Sequence, residues 1–171
     1  MKPLSPHIQT FLNDPDTRAF LKAARQYVAL MESETLTNEE FFRKMHKTLA
    51  ELYLAALSLK DITLVHSDGE TDFLVPEDEI MKIHKSVFSY TGDDGVYWKI
   101  FDPSRKEKPV QVWLQDDLAD IYRDLKRELY KIDRIGTNEA VEDALWQLKF
   151  GFKAHWGHHC VDAMRVLHYV I

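Results

Sequence analysis

Trp146-Gln-Leu-Lys-Phe-Gly151-Phe-Lys-Ala-His155-Trp-Gly157-His-His159-Cys-Val-Asp-Ala-Met-Arg-Val-Leu-His168 is the stretch whose reading decides the fold. At about 100° per residue, Leu148, Phe152, His155, Trp156, His159, Ala163 and Val166 fall along one side of a helix. Val141, Leu145 and Val170 extend the same stripe, which predicts one long helix from Glu139 to about Tyr169 with Asn138 as its N-cap. From about Phe150 the opposite side is also apolar, with Phe150, Val161 and Met164. The segment is therefore expected to be contacted on several sides and to stand at the centre of the fold. Gly151 and Gly157 each cost a helix interior about 0.8–1 kcal/mol relative to Ala, a cost that makes sense if another backbone comes close.

Working outward, the same periodicity recurs. Leu118, Ile121, Tyr122, Leu125, Leu129 and Ile132 share one face of a helix that opens on acidic residues and ends at Gly136, in keeping with the helix dipole. Ala19, Phe20, Ala23, Tyr27, Leu30 and Met31 predict a helix over about 16–33, and Ser5-Pro6 suits the start of a short one before it. Thr37-Asn-Glu-Glu40 is a capping box, followed by a stripe from Phe41 to Leu59. Ser67-Asp68-Gly69-Glu70 reads as a surface turn, and a further helix runs from Pro76 to near Gly92. Val96-Tyr-Trp-Lys-Ile-Phe101 and Val110-Gln-Val-Trp113 alternate as short strands do, so a β-hairpin near residues 95–113 is a candidate element. The expectation is a mainly α protein: one helical domain over residues 1–171, a bundle of about five or six helices.

A chain of 171 residues can bury roughly 70% of its unfolded surface without help from a metal or disulfide. Hydrophobic residues at 45% and charged residues at 29% are ordinary for a globular chain. The formal charge of -6, with no long Lys/Arg stripe, argues against a nucleic-acid partner. No segment has the length and apolarity of a membrane span, and the start has no apolar signal core. With one cysteine, Cys160, an internal disulfide is impossible, and a cytoplasmic location is the expectation.

The chemistry-bearing residues concentrate in the opening stretch. His155 and His159 are four apart, a spacing at which two imidazoles on one helix can share a divalent metal, with Asp162 one turn further along the same edge. Trp156 stands where a His-Glu-x-x-His motif would have its glutamate, and a further ligand from another helix is needed. Asp117, His46 and His84 are the nominees. Satisfied core histidines, or a histidine acting as acid or base without a metal, explain the same residues. Asp116-Asp117-Leu-Ala-Asp120 has the spacing of the terpenoid-synthase aspartate motif, but the second metal-binding motif of those enzymes is absent. On the wheel Asp116, Asp120 and Asp124 turn away from the apolar stripe, as a dipole-favoured helix start would have them. Cys160 lies in an apolar stretch and reads as a buried, inert thiol. No phosphate-binding glycine loop and no Gly-x-Ser-x-Gly elbow is present.

Asp116-Asp-Leu-Ala-Asp-Ile-Tyr-Arg-Asp-Leu-Lys126, Trp146, His155-Trp-Gly-His-His159, Ala163-Met-Arg-Val-Leu-His168, Tyr97-Trp98 and Phe101-Asp-Pro103 together resemble the bacterial family catalogued as domain of unknown function 5063. The resemblance covers most of the chain and implies a helical bacterial cytoplasmic protein, without implying an activity. It marks Asp117, Asp120, Tyr122, His155, Trp156, His159 and Arg165 as candidates for one cluster, functional or fold-stabilising. The leading functional expectation is a non-enzymatic module that binds a protein or small-molecule partner. The alternative is a metal-dependent, hydrolase-like enzyme using His155 and His159 with Asp162 or Asp117.

Overall fold

The computed structural model describes residues 3–33, 35–67, 73–102 and 104–170. The turn expected over residues 67–70 lies, from Asp68 onward, outside the described residues. In chain order the elements are α1 (Pro6–Asn13), α2 (Pro15–Met31), α3 (Asn38–Leu57), α4 (Glu77–Thr91), β1 (Val96–Lys99), β2 (Val110–Trp113), α5 (Leu114–Tyr130), α6 (Asn138–Ala154) and α7 (Trp156–Val170). A 3-10 turn, Gly92–Gly95, leads into β1, and a π-helical turn, Lys131–Ile135, follows α5. The fold is mainly α with a short hairpin, as the periodicities predict, and the described residues carry seven α-helices.

The helix starts follow from local chemistry. The Ser5 hydroxyl accepts the amide of Ile8, Asp14 accepts those of Asp16 and Thr17, and Thr37 and Glu40 close the capping box. The cap of α6 differs from expectation. Thr137, not Asn138, accepts the amide of Ala140, while Asn138 Oδ1 accepts the Ser5 amide at 2.8 Å and ties α1 to α6. The hairpin is antiparallel, with Val96 opposite Trp113 and Lys99 opposite Val110. It is not an isolated pair of strands, because β2 runs directly into α5 and Tyr97 packs against the helical core.

The centre of the bundle is shared. α5 packs against α2, α4, α6 and α7, while α7 packs against α3, α5 and α6. Leu118, Ile121, Tyr122 and Leu125 of α5 are fully buried, as are Cys160, Ala163 and Leu167 of α7. Each large apolar side chain so buried contributes about 1.5–3 kcal/mol relative to exposure. The Tyr27 hydroxyl, also buried, donates to the Leu118 carbonyl at 2.8 Å, so the phenol keeps a partner within the core. A smaller cluster of Ile8, Ile62, Val141 and Leu145 seats α1 on α6.

The long C-terminal helix predicted from residue 139 to 169 is two helices. His155 leaves the helical region with φ -145° and ψ -87°, its amide still donating to Gly151 O while its carbonyl accepts the amide of His158. The break folds the Trp156 indole back against the end of α6, where its Nε1 donates to the Leu148 carbonyl and its ring meets Phe20 and Phe152. The two glycines that looked costly in a helix are explained by this return. A Cβ on Gly151 would stand 2.8 Å from the Trp156 ring, and one on Gly157 would stand 2.1 Å from the Phe152 carbonyl oxygen. Phe150 and Val161, expected to be contacted on a second side, are 51% and 47% exposed.

Candidate functional site

The break at His155 decides the geometry of the site. It sets His155 between two helices and His159 in the first turn of α7, beside the acidic first half of α5. The rings lie 4.8 Å apart, edge to face. His159 Nδ1 is 2.7 Å from Asp117 Oδ1, and His155 Nδ1 is 2.8 Å from Asp124 Oδ2. An ionised carboxylate only accepts, so both Nδ1 atoms act as donors and each neutral imidazole keeps its lone pair on Nε2. The His159 Nε2 lies 3.7 Å from Asp120 Oδ2, and the other oxygen of Asp120 is held by Arg123 at 2.8 Å.

Asp120, His155 and His159 each offer a ligating atom within 4.8 Å of the others. Ligands around a tetrahedral zinc, each at 2.0–2.2 Å, stand about 3.3 Å apart. The Asp120–His159 pair is already close to that spacing. His155, with its side chain 49% exposed, has room to rotate the remainder. In metal sites a ligating histidine commonly donates its second nitrogen to a carboxylate, which fixes the ring and raises its basicity. Here Asp124 and Asp117 stand in that position, one behind each imidazole.

The hairpin braces the inner dyad. Asp117 is buried, and its second oxygen accepts a short hydrogen bond from the Tyr97 hydroxyl. Lys99 Nζ lies 3.8 Å from Asp117 and 2.8 Å from Asp162, placing a buried cation between the two carboxylates. Hydrogen bonding to Asp117 raises the pKa of His159 against the opposing effect of burial. Burial, followed by the contact with Asp117, drives the Tyr97 hydroxyl well above its ordinary pKa, so it remains a donor.

The residues singled out in the sequence separate into groups. Asp117, Asp120, His155 and His159 come together. Asp162 does not join them; it pairs with Lys99 on the hairpin side. Arg165 also serves the hairpin, donating to the Trp98 carbonyl and lying over the Tyr97 ring. Trp156 is 1% exposed and belongs to the core. Tyr122 faces away, donating toward Glu32 and Glu79. Of the other nominees, His84 lies 3.4 Å from Asp116 and His46 rests against His168. Cys160 is fully buried, and that burial raises its thiol pKa far above the ordinary value. Asp124, Tyr97, Lys99 and Arg123 were not among the site candidates. Asp120 and Asp124, turned from the apolar stripe on the wheel, are half-buried against the imidazoles. The resemblance names Asp120, and the four residues between Asp120 and Asp124, matching the four between His155 and His159, are the signal that could have found Asp124.

Among the described residues no helix is long and apolar enough to cross a membrane. No curated protein matches the chain. The fold is similar to that in the crystal structure of protein BF1032 from Bacteroides fragilis, with a TM-score of 0.80 and 25% sequence identity over 94% of each chain. The family model described as Domain of unknown function (DUF5063) matches residues 12–171, and the chain belongs to that family.

Proposed function

We propose that Asp120, His155 and His159 bind one divalent transition metal and that the chain is a metal-dependent enzyme of the hydrolytic kind. The observation that carries this reading is the pair of carboxylate-backed imidazoles converging with a third carboxylate. Core histidines need one partner each, and a single Asp–His contact would meet that need. Here each imidazole has its own carboxylate partner, and beyond that need the two rings and Asp120 still offer ligand atoms within 4.8 Å of one another, which makes them a donor set.

Three protein ligands leave coordination positions open, which distinguishes a catalytic from a closed structural site. A divalent cation there would polarise a water molecule or the carbonyl or phosphoryl oxygen of a substrate. The protein's own part is to hold the ring orientations through Asp117 and Asp124 and to hold the Asp120 carboxylate through the hydrogen bond from Arg123. The partly exposed His155 faces solvent, which gives a substrate access.

The test is elemental analysis of the full chain after supply of zinc, manganese or iron and removal of loose metal. A His155→Ala, His159→Ala double variant is carried in parallel. Stoichiometric metal in the wild type, lost in a folded double variant, supports the site. A folded wild type that retains no metal overturns it. Nitrophenyl acetate and nitrophenyl phosphate then probe turnover by the loaded protein. Metal retention without turnover of either ester would count against the enzyme and for a binding role.

A further inference from the structure

A second site lies on a different face of α5 and shares no residue with the histidine cluster. Between α2 and α5, closed at one side by the segment leading into α4, is a cleft of about 560 Å³. That volume is in the range of small-molecule sites. Its middle is apolar, walled by Val28, Leu129 and the stacked pair Phe73 and Tyr130, whose ring centroids are 3.7 Å apart.

Its two ends carry opposite charge. At one end Glu32 and Glu79 both face the Tyr122 hydroxyl, at 2.8 and 2.5 Å, and share Lys126 at 2.5 and 3.4 Å. All these contacts use Oε1. Two carboxylates against one ammonium leave an excess negative charge, and the phenol has a single proton to divide between them. Neither Oε2 has a partner among the described residues. At the other end Arg25 is matched by Asp133 through two hydrogen bonds, whereas Arg134 has no ion pair or hydrogen bond among the described residues. The π-helical turn at Lys131–Ile135 sets Asp133 and Arg134 at this rim, and such turns recur at functional sites.

The spacing of the ends selects the ligand. Arg25 to Glu32, from α2 to its C-cap, and Lys126 to Arg134, from α5 into the π-helical turn, each span roughly 10–12 Å at about 1.5 Å per residue. An extended peptide advances about 3.3–3.6 Å per residue, so three residues cover about 10 Å. We propose that this cleft binds a short apolar peptide with free termini, its ammonium at Glu32 and Glu79 and its carboxylate at Arg134. A single amino acid is too short to reach both ends, and an amine alone leaves Arg134 unmatched.

Isothermal titration of the full chain with Ala-Phe-Ala tests this. Its N-acetylated and C-amidated forms and free phenylalanine serve as comparisons. Saturable binding is expected for the free tripeptide, weakened about tenfold or more by blocking either end and by using phenylalanine. Arg134→Ala, at an exposed position, should remove the preference for a free carboxylate, and Glu79→Gln the preference for a free amine. No saturable heat at millimolar tripeptide on folded protein overturns the proposal. Equal binding of the blocked forms or of phenylalanine, or an unchanged preference in either variant, also overturns it.

Discussion

Asp117 Oδ1 stands 2.7 Å from Nδ1 of His159 while its other oxygen accepts the Tyr97 hydroxyl, so one buried carboxylate links α5, α7 and β1. The hairpin thereby acts on the imidazole through Asp117. Residues in this position behind a metal ligand typically change metal affinity tenfold to a hundredfold when altered. Asp117→Asn keeps the size but weakens the acceptor for Nδ1. Zinc affinity, measured by competition with a chromogenic chelator, is expected to fall by about that factor while the helical signal stays. An unchanged affinity would remove Asp117 from the site.

Gly157→Ala tests the break between α6 and α7. The added Cβ would lie 2.1 Å from the Phe152 carbonyl oxygen, a backbone atom that cannot swing aside. Overpacking of this kind costs about 1–3 kcal/mol. For a chain of this size that is a fall of roughly 2–4 °C in Tm per kcal/mol. If the helices re-join to relieve the clash, His155 returns to a helical backbone and metal affinity falls with stability. A Tm equal to wild type would show that the close approach is not needed.

The break also marks where the residues could and could not be read in advance. Helix spans, the capping box at Thr37 and the hairpin follow from periodicity and local hydrogen bonding, which a linear sequence carries directly. The wheel for residues 139–169 assumes an unbroken helix, and the interruption depends on Trp156 finding the Leu148 carbonyl and a pocket beside Phe20. That is a tertiary event. On the wheel Asp120 and Asp124 turn from the apolar stripe of their own helix, and the resemblance names only Asp120 of the two; their partners sit beside them because the break re-aims the next helix. Lys99 and Tyr97 join the site through strand pairing across the loop between β1 and β2. Neither spacing nor composition shows which face of that hairpin meets Asp117.

A buried ion cluster secures the turn between α5 and α6. Lys131 is 0% exposed and lies 2.7 Å from Asp143 and 3.0 Å from Glu128. Removing one partner of such a set strands a charge in the interior and costs about 3–5 kcal/mol. Asp143→Ala is expected to show a loss of that size in urea unfolding. Lys131→Met combined with Asp143→Leu removes the Lys131–Asp143 pair, leaves Glu128 held by Arg127 at 2.6 Å, and should recover much of it. An Asp143→Ala loss below about 1 kcal/mol would mean that Glu128 alone satisfies the ammonium.

Glu142 makes the fold sensitive to acid. Its side chain is fully buried, and Oε2 accepts backbone amides from Val65, His66 and Ser67 at 2.9, 2.6 and 2.7 Å, pinning that loop to α6. Burial works to raise its pKa, but the three amide donors together hold it below the ordinary 4.5. A folded-state pKa below the unfolded one contributes stability that is complete above the unfolded value. As pH falls below about 4.5, the unfolded chain takes up the proton first, and the contribution drains until the folded pKa is passed. Glu142→Gln removes the charge and the titration together. The variant should be less stable than wild type by roughly 2 kcal/mol at neutral pH, the scale of hydrogen bonds to a charged group. Urea unfolding of both proteins from pH 7 to pH 3 should show that gap narrowing below pH 4.5. A gap that stays constant over this range would mean that the carboxylate charge contributes nothing to holding the loop.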